Sequence, residues 1–184
     1  YTNGAKDINA REKMHYAATI AGMAFANAFL GLSHSMAHKL GAMYHVPHGL
    51  ANALLLSYVI EFNATDKPTK QGLFPQYKYP FVKGRYGKIV DFLLPHNKLG
   101  DDKDAKVQTL IDMVEDLKHK LNIPRSIKEY GIPEKEFLDN LDKLSELAFD
   151  DQCTGGNARY PLISEIKELY LKAYYGEPIK HKAK

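Results

Sequence analysis

The 184-residue chain contains a single cysteine, Cys153, and no tryptophan. One cysteine cannot form an internal disulfide, which excludes the disulfide-stapled folds of small secreted proteins and favours a reducing, cytoplasmic setting. The most apolar stretch, residues 49–60, is much shorter than the about 20 residues that a membrane-spanning helix needs, and no basic-then-apolar leader opens the sequence. We therefore expect no membrane partner.

An excess of charge of one sign is also missing. The 25 Lys and Arg residues against 22 Asp and Glu residues give a formal net charge of +3, and the signs are mixed except in the last five residues, KHKAK. Proteins that bind nucleic acid through its phosphates usually carry a basic face. We therefore expect no nucleic-acid partner.

Apolar residues recur at spacings of three and four through most of the chain, which is the pattern of amphipathic helices. This pattern predicts helices up to about Leu30, over 33–44, over 50–63, from about Val82, over 107–121, over 137–149 and over 162–175. Residues 65–79 contain prolines and a glycine without a sustained period, which predicts an irregular surface segment. Because no segment alternates with the period of two typical of strands, the expected fold is all-α, a multi-helix bundle in one domain over 1–184.

Local signals predict where several helices begin and end. Asn9 and Ser126 are each followed three residues later by a glutamate, which is the spacing of a capping box. Pro133 suits the first position of a helix, and Gly131 and Gly176 suit helix ends.

Four of the eight histidines lie within residues 34–48. His34 and His38 are four residues apart, so on a helix both imidazoles leave the same face. His48 follows the break at Pro47, and a helix-turn-helix arrangement could bring it back to that face. Imidazole suits Fe, Zn, Cu or Ni, so we interpret His34, His38 and His48 together as a candidate metal site and assign nothing to His45.

The histidines belong to a longer pattern. Residues 31–41 read GLSHSMAHKLG and residues 46–53 read VPHGLANA, and together they resemble the histidine signature of the iron-containing alcohol dehydrogenases. The resemblance continues through AGMAFAN at 21–27 and DDQCTGGNARYPLI at 150–163, and it covers essentially the whole chain. Residues 62–71 and 74–77 most resemble the alcohol dehydrogenase part of bifunctional acetaldehyde-CoA/alcohol dehydrogenases.

The resemblance implies the C-terminal helical domain of a dehydroquinate synthase-like alcohol dehydrogenase. In that family an aspartate and three histidines hold the ion, and two of the histidines match His34 and His48. The other two ligands and the NAD(H)-binding domain belong upstream of Tyr1, so no cofactor-binding residue is assigned in this chain. The resemblance implies Fe²⁺, with Zn²⁺ as an alternative, a catalytic role for His38, and a substrate pocket that includes Phe25 and Cys153.

As an enzyme, the implied protein is an NAD-linked alcohol dehydrogenase that interconverts acetaldehyde and ethanol and works as a homo-oligomer. This chain would be inactive without its upstream nucleotide-binding domain. Two alternatives stay open at this point. One is a zinc-dependent relative acting on polyols, which shares the histidine pair, and the other is a non-catalytic helical metal-binding or assembly module, because catalytic sites usually have three protein ligands.

Overall fold

The computed structural model describes residues 5–66 and 81–181, so most of the predicted irregular segment lies outside the described residues. The described residues form helices and contain no strand, which confirms the all-α prediction. The helices are α1 (Ile8–Ala28), α2 (Leu32–Tyr44), α3 (His48–Asn63), α4 (Val82–Leu93), α5 (Lys103–Lys120), α6 (Ile127–Tyr130), α7 (Glu134–Phe149) and α8 (Ile163–Tyr175). A 3-10 turn at Thr154–Gly156 lies between α7 and α8.

The chain divides between Leu30 and Gly31 into two compact units. The first unit contains α1. Its N-cap is Asp7, whose side chain accepts a hydrogen bond from the Ala10 backbone N–H. The cap predicted at Asn9 is therefore wrong, because Asp7 already occupies the position from which a side-chain oxygen satisfies the first free N–H groups. The single domain over 1–184 stays a prediction.

The main core of the second unit lies among α2, α3, α7 and α8. Phe137 of α7 stacks on Tyr174 of α8 with ring centroids 4.3 Å apart, and both side chains are fully buried. The Tyr170 hydroxyl of α8 donates to the Met36 carbonyl of α2 at 2.8 Å. A buried tyrosine needs such a partner for its polar end, so this bond fixes α8 against the helix that carries His34 and His38.

A smaller core joins α4 and α5 to the end of α3. Val90, Val107 and Ile111 are buried there together with Ile60. Ion pairs surround this core, and in one of them Lys106 of α5 donates to Asp91 of α4 at 2.7 Å.

The remaining caps mostly follow the sequence signals. Gly131 and Gly176 end α6 and α8 with φ of 113° and 69°, a conformation that favours glycine. Ser126 caps α6 as predicted, but the Glu129 carboxylate accepts from the Arg125 N–H instead of completing the box. Pro133 is the N-cap of α7, one residue before the predicted position, because its ψ of 136° is still extended.

The corner between α2 and α3 places the histidines. His45 ends α2 in the left-handed region with φ of 55°, and its N–H donates to the Gly41 carbonyl at 3.0 Å. Pro47 follows with extended backbone, and α3 begins at His48. Because a left-handed residue and a proline interrupt the helical hydrogen bonds, the chain changes direction here.

None of the helices in residues 5–66 and 81–181 is by itself long and apolar enough to cross a membrane. Only α1 and α2 counted together across the break between them would reach that length and composition.

Candidate metal centre

Three histidine rings converge at the junction of α2 and α3. His34 and His38 lie one turn apart on α2, with ring centroids separated by 6.0 Å. His48, the first residue of α3, lies 5.3 Å from His34 and 5.7 Å from His38 by the same measure. The structure therefore brings together the three histidines that the spacing predicted, and it leaves His45 exposed at the end of α2.

The ring separation of His34 and His48 is close to the value expected of two imidazoles that share a divalent ion. Two imidazoles that bind one ion at about 2.0–2.1 Å with a tetrahedral angle place their ring centres about 5 Å apart. Among the three histidine pairs, His34 and His48 have the separation closest to this value. Partial burial, followed by the charges of His48 and His38, lowers the pKa of His34 and so favours the neutral ring that metals bind.

A polar bridge connects the two histidine-bearing helices. The Asn52 amide nitrogen lies 3.3 Å from Nε2 of His48 and donates to the His48 carbonyl at 3.1 Å. The Asn52 carbonyl oxygen accepts from the Ser33 hydroxyl of α2 at 3.1 Å. Asn52 therefore connects α3 to the start of α2.

His38 has a different environment from the other two histidines. Its Nδ1 lies 3.1 Å from Oδ2 of Asp151, which also accepts from Lys39 Nζ at 2.9 Å. Oδ1 of Asp151 accepts from the Cys153 backbone N–H at 2.9 Å. Burial opposes the charge of Asp151, but the hydrogen bonds from Cys153, Lys39 and His38 outweigh it and hold the pKa of this carboxyl well below its usual range.

Cys153 lies close to His38, in the loop where the sequence predicted it. Its thiol, a carboxylate oxygen of Asp151 and a ring nitrogen of His38 lie within 4.8 Å of one another. Cys153 is buried, and burial, followed by the hydrogen bond and negative charge of Asp151, raises the pKa of its thiol to about 11. Such a thiol is a poor nucleophile, so its position fits a wall of the site rather than covalent catalysis.

Phe25 lies on α1, in the first unit, with 47% of its surface exposed. The role of Phe25 in a substrate pocket stays a prediction, as does that of Cys153.

The loop after α7 is attached to the start of α2 by buried hydrogen bonds. The Asn157 side chain accepts from the Leu32 backbone N–H at 3.1 Å, and the Thr154 hydroxyl contacts that of Ser35 at 2.7 Å. This close contact requires a glycine at position 31, because a Cβ there would lie 2.8 Å from the side-chain oxygen (Oδ1) of Asn157. The loop that carries Asp151 and Cys153 is thereby fixed against the helix that carries His34 and His38.

Sequence reasoning assigned no role to Asp151, Lys39, Asn52 or Asn157. A usable signal for Asp151 was its position two residues before Cys153, because aspartates often accept a hydrogen bond from the backbone N–H two residues on. Asn52 has a similar signal, since it lies four residues after His48 on the same helix face. Contacts between segments as distant as Leu32 and Asn157 have no signal in a single sequence.

A cavity of about 730 Å³ lies elsewhere, between α3, α5 and the segment after α8. Its lining includes Tyr58, Lys118 and Glu177, and Lys118 is already paired with Glu115. His34, His38 and His48 do not line this cavity, so we place the candidate site at the histidines.

The helical fold and the histidine cluster of α2 and α3 are consistent with a metal-binding domain. Residues 1–174 match the family described as "Fe-containing alcohol dehydrogenase family, C-terminal", and the chain belongs to this family. The resemblance inferred from the histidine signature is therefore confirmed.

Among its relatives, the chain is 58% identical over 176 residues to the bifunctional aldehyde-alcohol dehydrogenase AdhE of Escherichia coli K12, covering 96% of this chain and 20% of that protein. It is 44% identical over 173 residues to an NADPH-dependent butanol dehydrogenase of Clostridium saccharobutylicum, covering 94% of this chain and 40% of the relative. The solved iron-containing alcohol dehydrogenase of Thermococcus thioreducens superposes with a TM-score of 0.71 at 35% identity, covering 93% of this chain and 39% of the other. The chain thus spans less than half the length of these relatives.

Proposed function

We propose that this chain is the metal-binding part of an iron-dependent, NAD-linked alcohol dehydrogenase that interconverts acetaldehyde and ethanol. We further propose that it works within a bifunctional acetaldehyde-CoA/alcohol dehydrogenase. The observation that carries the proposal is the convergence of His34 and His48 at a ring separation of 5.3 Å, in a chain of the iron-containing family. The 58% identity to a bifunctional aldehyde-alcohol dehydrogenase supports the substrate class.

His34 and His48 would hold the ion from this side. Fe²⁺ is the proposed ion, and Zn²⁺ suits the same imidazole donors. Catalytic sites usually have three protein ligands, so the pair needs further donors, which we assign to the upstream part of the same polypeptide. The 20% share of the Escherichia coli relative that this chain covers is consistent with such a part.

When bound, the ion would polarise the substrate oxygen and NAD(H) would accept or supply the hydride. The work left to this chain is binding and proton transfer. His38 lies beside the metal pair but outside it, and its Nδ1 is engaged by Asp151, which leaves Nε2 to take the hydroxyl proton of the alcohol. With 35% of its side chain exposed, His38 can pass that proton on to solvent.

The other parts of the proposal follow from the family. The upstream nucleotide-binding domain would bind most of NAD(H), so this chain alone would be inactive. Phe25 and Cys153 would line the substrate pocket. A homo-oligomer in the cytoplasm is the proposed setting, and light scattering at increasing protein concentration tests the association.

The test of this function is ethanol-dependent formation of NADH by the complete polypeptide, followed after metal removal and after addition of Fe²⁺ or Zn²⁺. We expect activity to require the ion and to be greatest with Fe²⁺. Replacing His34 or His48 by alanine should abolish activity, and replacing His38 should lower kcat while the ion stays bound. The isolated chain should give no NADH.

His119→Ala is the matched control, because His119 is an exposed histidine on α5, outside the histidine cluster. It should leave the activity unchanged. Full activity in the His34→Ala or His48→Ala protein, or activity that survives complete metal removal, would contradict the proposal.

A further inference from the structure

Asp151 is held by hydrogen bonds on both of its carboxylate oxygens. Oδ1 accepts from the Cys153 backbone N–H at 2.9 Å. Oδ2 lies 2.9 Å from Lys39 Nζ and 3.1 Å from His38 Nδ1. Only 8% of the Asp151 side chain is exposed. Because these partners come from its own loop and from α2, the carboxylate cannot rotate away from His38 without losing two other bonds.

This arrangement determines which ring nitrogen of His38 carries the proton. An ionised carboxylate only accepts hydrogen bonds, so an Nδ1 at 3.1 Å from it must be the donor. A neutral imidazole carries one proton, and with Nδ1 protonated its Nε2 is an acceptor. The ammonium group of Lys39 on the same oxygen keeps Asp151 ionised and balances its charge.

We propose that Asp151 is a positioning residue that holds His38 in the Nδ1–H tautomer and thereby keeps Nε2 free to accept the alcohol proton. The proposal rests on the role assigned to His38 above. During oxidation the alcohol O–H bond breaks and its proton moves to Nε2, and NAD⁺, when bound, would take the hydride from the same substrate. The imidazolium then lies against the negative charge of Asp151, and its Nε2 proton passes to solvent. For reduction of the aldehyde, these transfers run in reverse.

The cluster of His38, Asp151 and Cys153 also has the composition of a metal site. Lys39 argues against that use, because its ammonium group occupies the oxygen of Asp151 that faces His38. A cation there would have to displace Lys39 and remove the proton of a buried thiol whose pKa is raised to about 11. The positioning role needs neither change.

The test uses purified complete protein containing ¹⁵N-labelled histidine and loaded with Zn²⁺, which is diamagnetic. The ¹⁵N shifts of the His38 ring report its tautomer directly. We expect the Nδ1–H tautomer in the unmodified protein and a loss of that single tautomer in the Asp151→Asn variant. The NH₂ group of the new asparagine is a donor, and it must face either His38 and Lys39 or the Cys153 N–H, where the carboxylate offered an acceptor. Asp151→Asn nearly preserves the side-chain shape and an acceptor for the loop, so it is preferred to Asp151→Ala.

The kinetic readout is the split between kcat and KM in the iron-loaded protein. Disturbing a residue that orients a ligand or catalytic group typically costs about 10-fold to 100-fold, so we expect that loss in kcat with KM and iron content nearly unchanged. Asp150→Asn is the control, because it makes the same chemical change at the exposed neighbour of Asp151. It should match the unmodified protein in tautomer and in kcat.

Three results would overturn the positioning role. The first is an Nε2–H tautomer of His38 in the unmodified protein. The second is an Asp151→Asn variant that keeps both the Nδ1–H tautomer and the full kcat. The third is a second bound metal that is lost in a Cys153→Ser variant. The His38→Ala variant separates this inference from the proposed function. Full alcohol dehydrogenase activity in that variant would refute the catalytic role of His38, whereas the tautomer measurement judges Asp151 independently.

Discussion

Asn157 should contribute more to stability than its place in a loop suggests. Its side-chain oxygen accepts from the Leu32 N–H at 3.1 Å and from the Asn63 amide at 3.3 Å. Its side-chain amide nitrogen donates to the side-chain oxygen of Asn63 and to the backbone carbonyl of Arg159, both at 2.7 Å. Asn157, Leu32 and Asn63 are all buried, so water cannot replace these bonds in an Asn157→Ala variant.

The magnitude follows from the partners that are left behind. A buried polar group without a partner costs about 1–3 kcal/mol, and Asn157→Ala leaves the Leu32 N–H in that state. The Asn63 side chain loses two hydrogen bonds and keeps the one to Tyr86. We therefore expect the free energy of unfolding to fall by about 4 kcal/mol, a large part of the about 5–15 kcal/mol typical of a whole domain. Urea unfolding followed by far-UV circular dichroism measures this change, with an unaltered m value as the check that both proteins unfold alike.

Asn27→Ala is the matched control, because the exposed Asn27 amide on α1 donates only within its own helix, to the Met23 carbonyl at 2.8 Å. Its cost should be within about 0.5 kcal/mol. Gly31→Ala should be destabilising through the same contact, since the added Cβ would lie 2.8 Å from the Asn157 oxygen. The combined Gly31 and Asn157 variant should then lose less than the two losses added together. An Asn157→Ala cost no larger than that of Asn27→Ala would refute the reasoning.

Two further predictions concern the packing around this scaffold. Hydrogen bonds from Lys83 and then His181 lower the pKa of Asp104 below its ordinary value of 3.8. Asp104 therefore stabilises the folded protein above pH 3.8, and this stabilisation is lost as the pH falls through the lowered pKa of the folded state. The urea unfolding midpoint should therefore fall less on acidification in the Asp104→Asn variant than in the unmodified protein. Parallel curves of midpoint against pH for the two proteins would contradict this. Tyr170→Phe removes the buried hydrogen bond to the Met36 carbonyl and should lower the free energy of unfolding by about 1 kcal/mol in urea. No measurable loss would count against the fixed contact of α8 with α2.

The helices were predictable because their signals are local. Apolar residues spaced three and four apart indicate most of the helices, and the glycines at 131 and 176 indicate two helix ends. Once α2 is assigned as a helix, His34 and His38 must share a face. The approach of His48 has a weaker local signal, because it depends on a left-handed His45 and on Pro47 turning the chain. The unusual density of histidines made that approach the favoured interpretation.

The surroundings of the histidines were not predictable in the same way. Asp151 and His38 are 113 residues apart, and their contact exists only because α7 packs against α2. The Asn9 prediction missed the true cap of α1, because Asp7 is an equally good capping residue and its hydrogen bond from the Ala10 N–H begins the helix there. Tertiary packing and the competition between equivalent local signals account for what the sequence pattern missed.

The central claim is that His34 and His48 share one divalent ion. Iron content by elemental analysis, after anaerobic loading of the complete polypeptide with ferrous ion and removal of free metal, tests it most directly. The account predicts about one iron per chain in the unmodified and His119→Ala proteins, and its loss in both His34→Ala and His48→Ala. Retention of iron in either of the last two variants would contradict it.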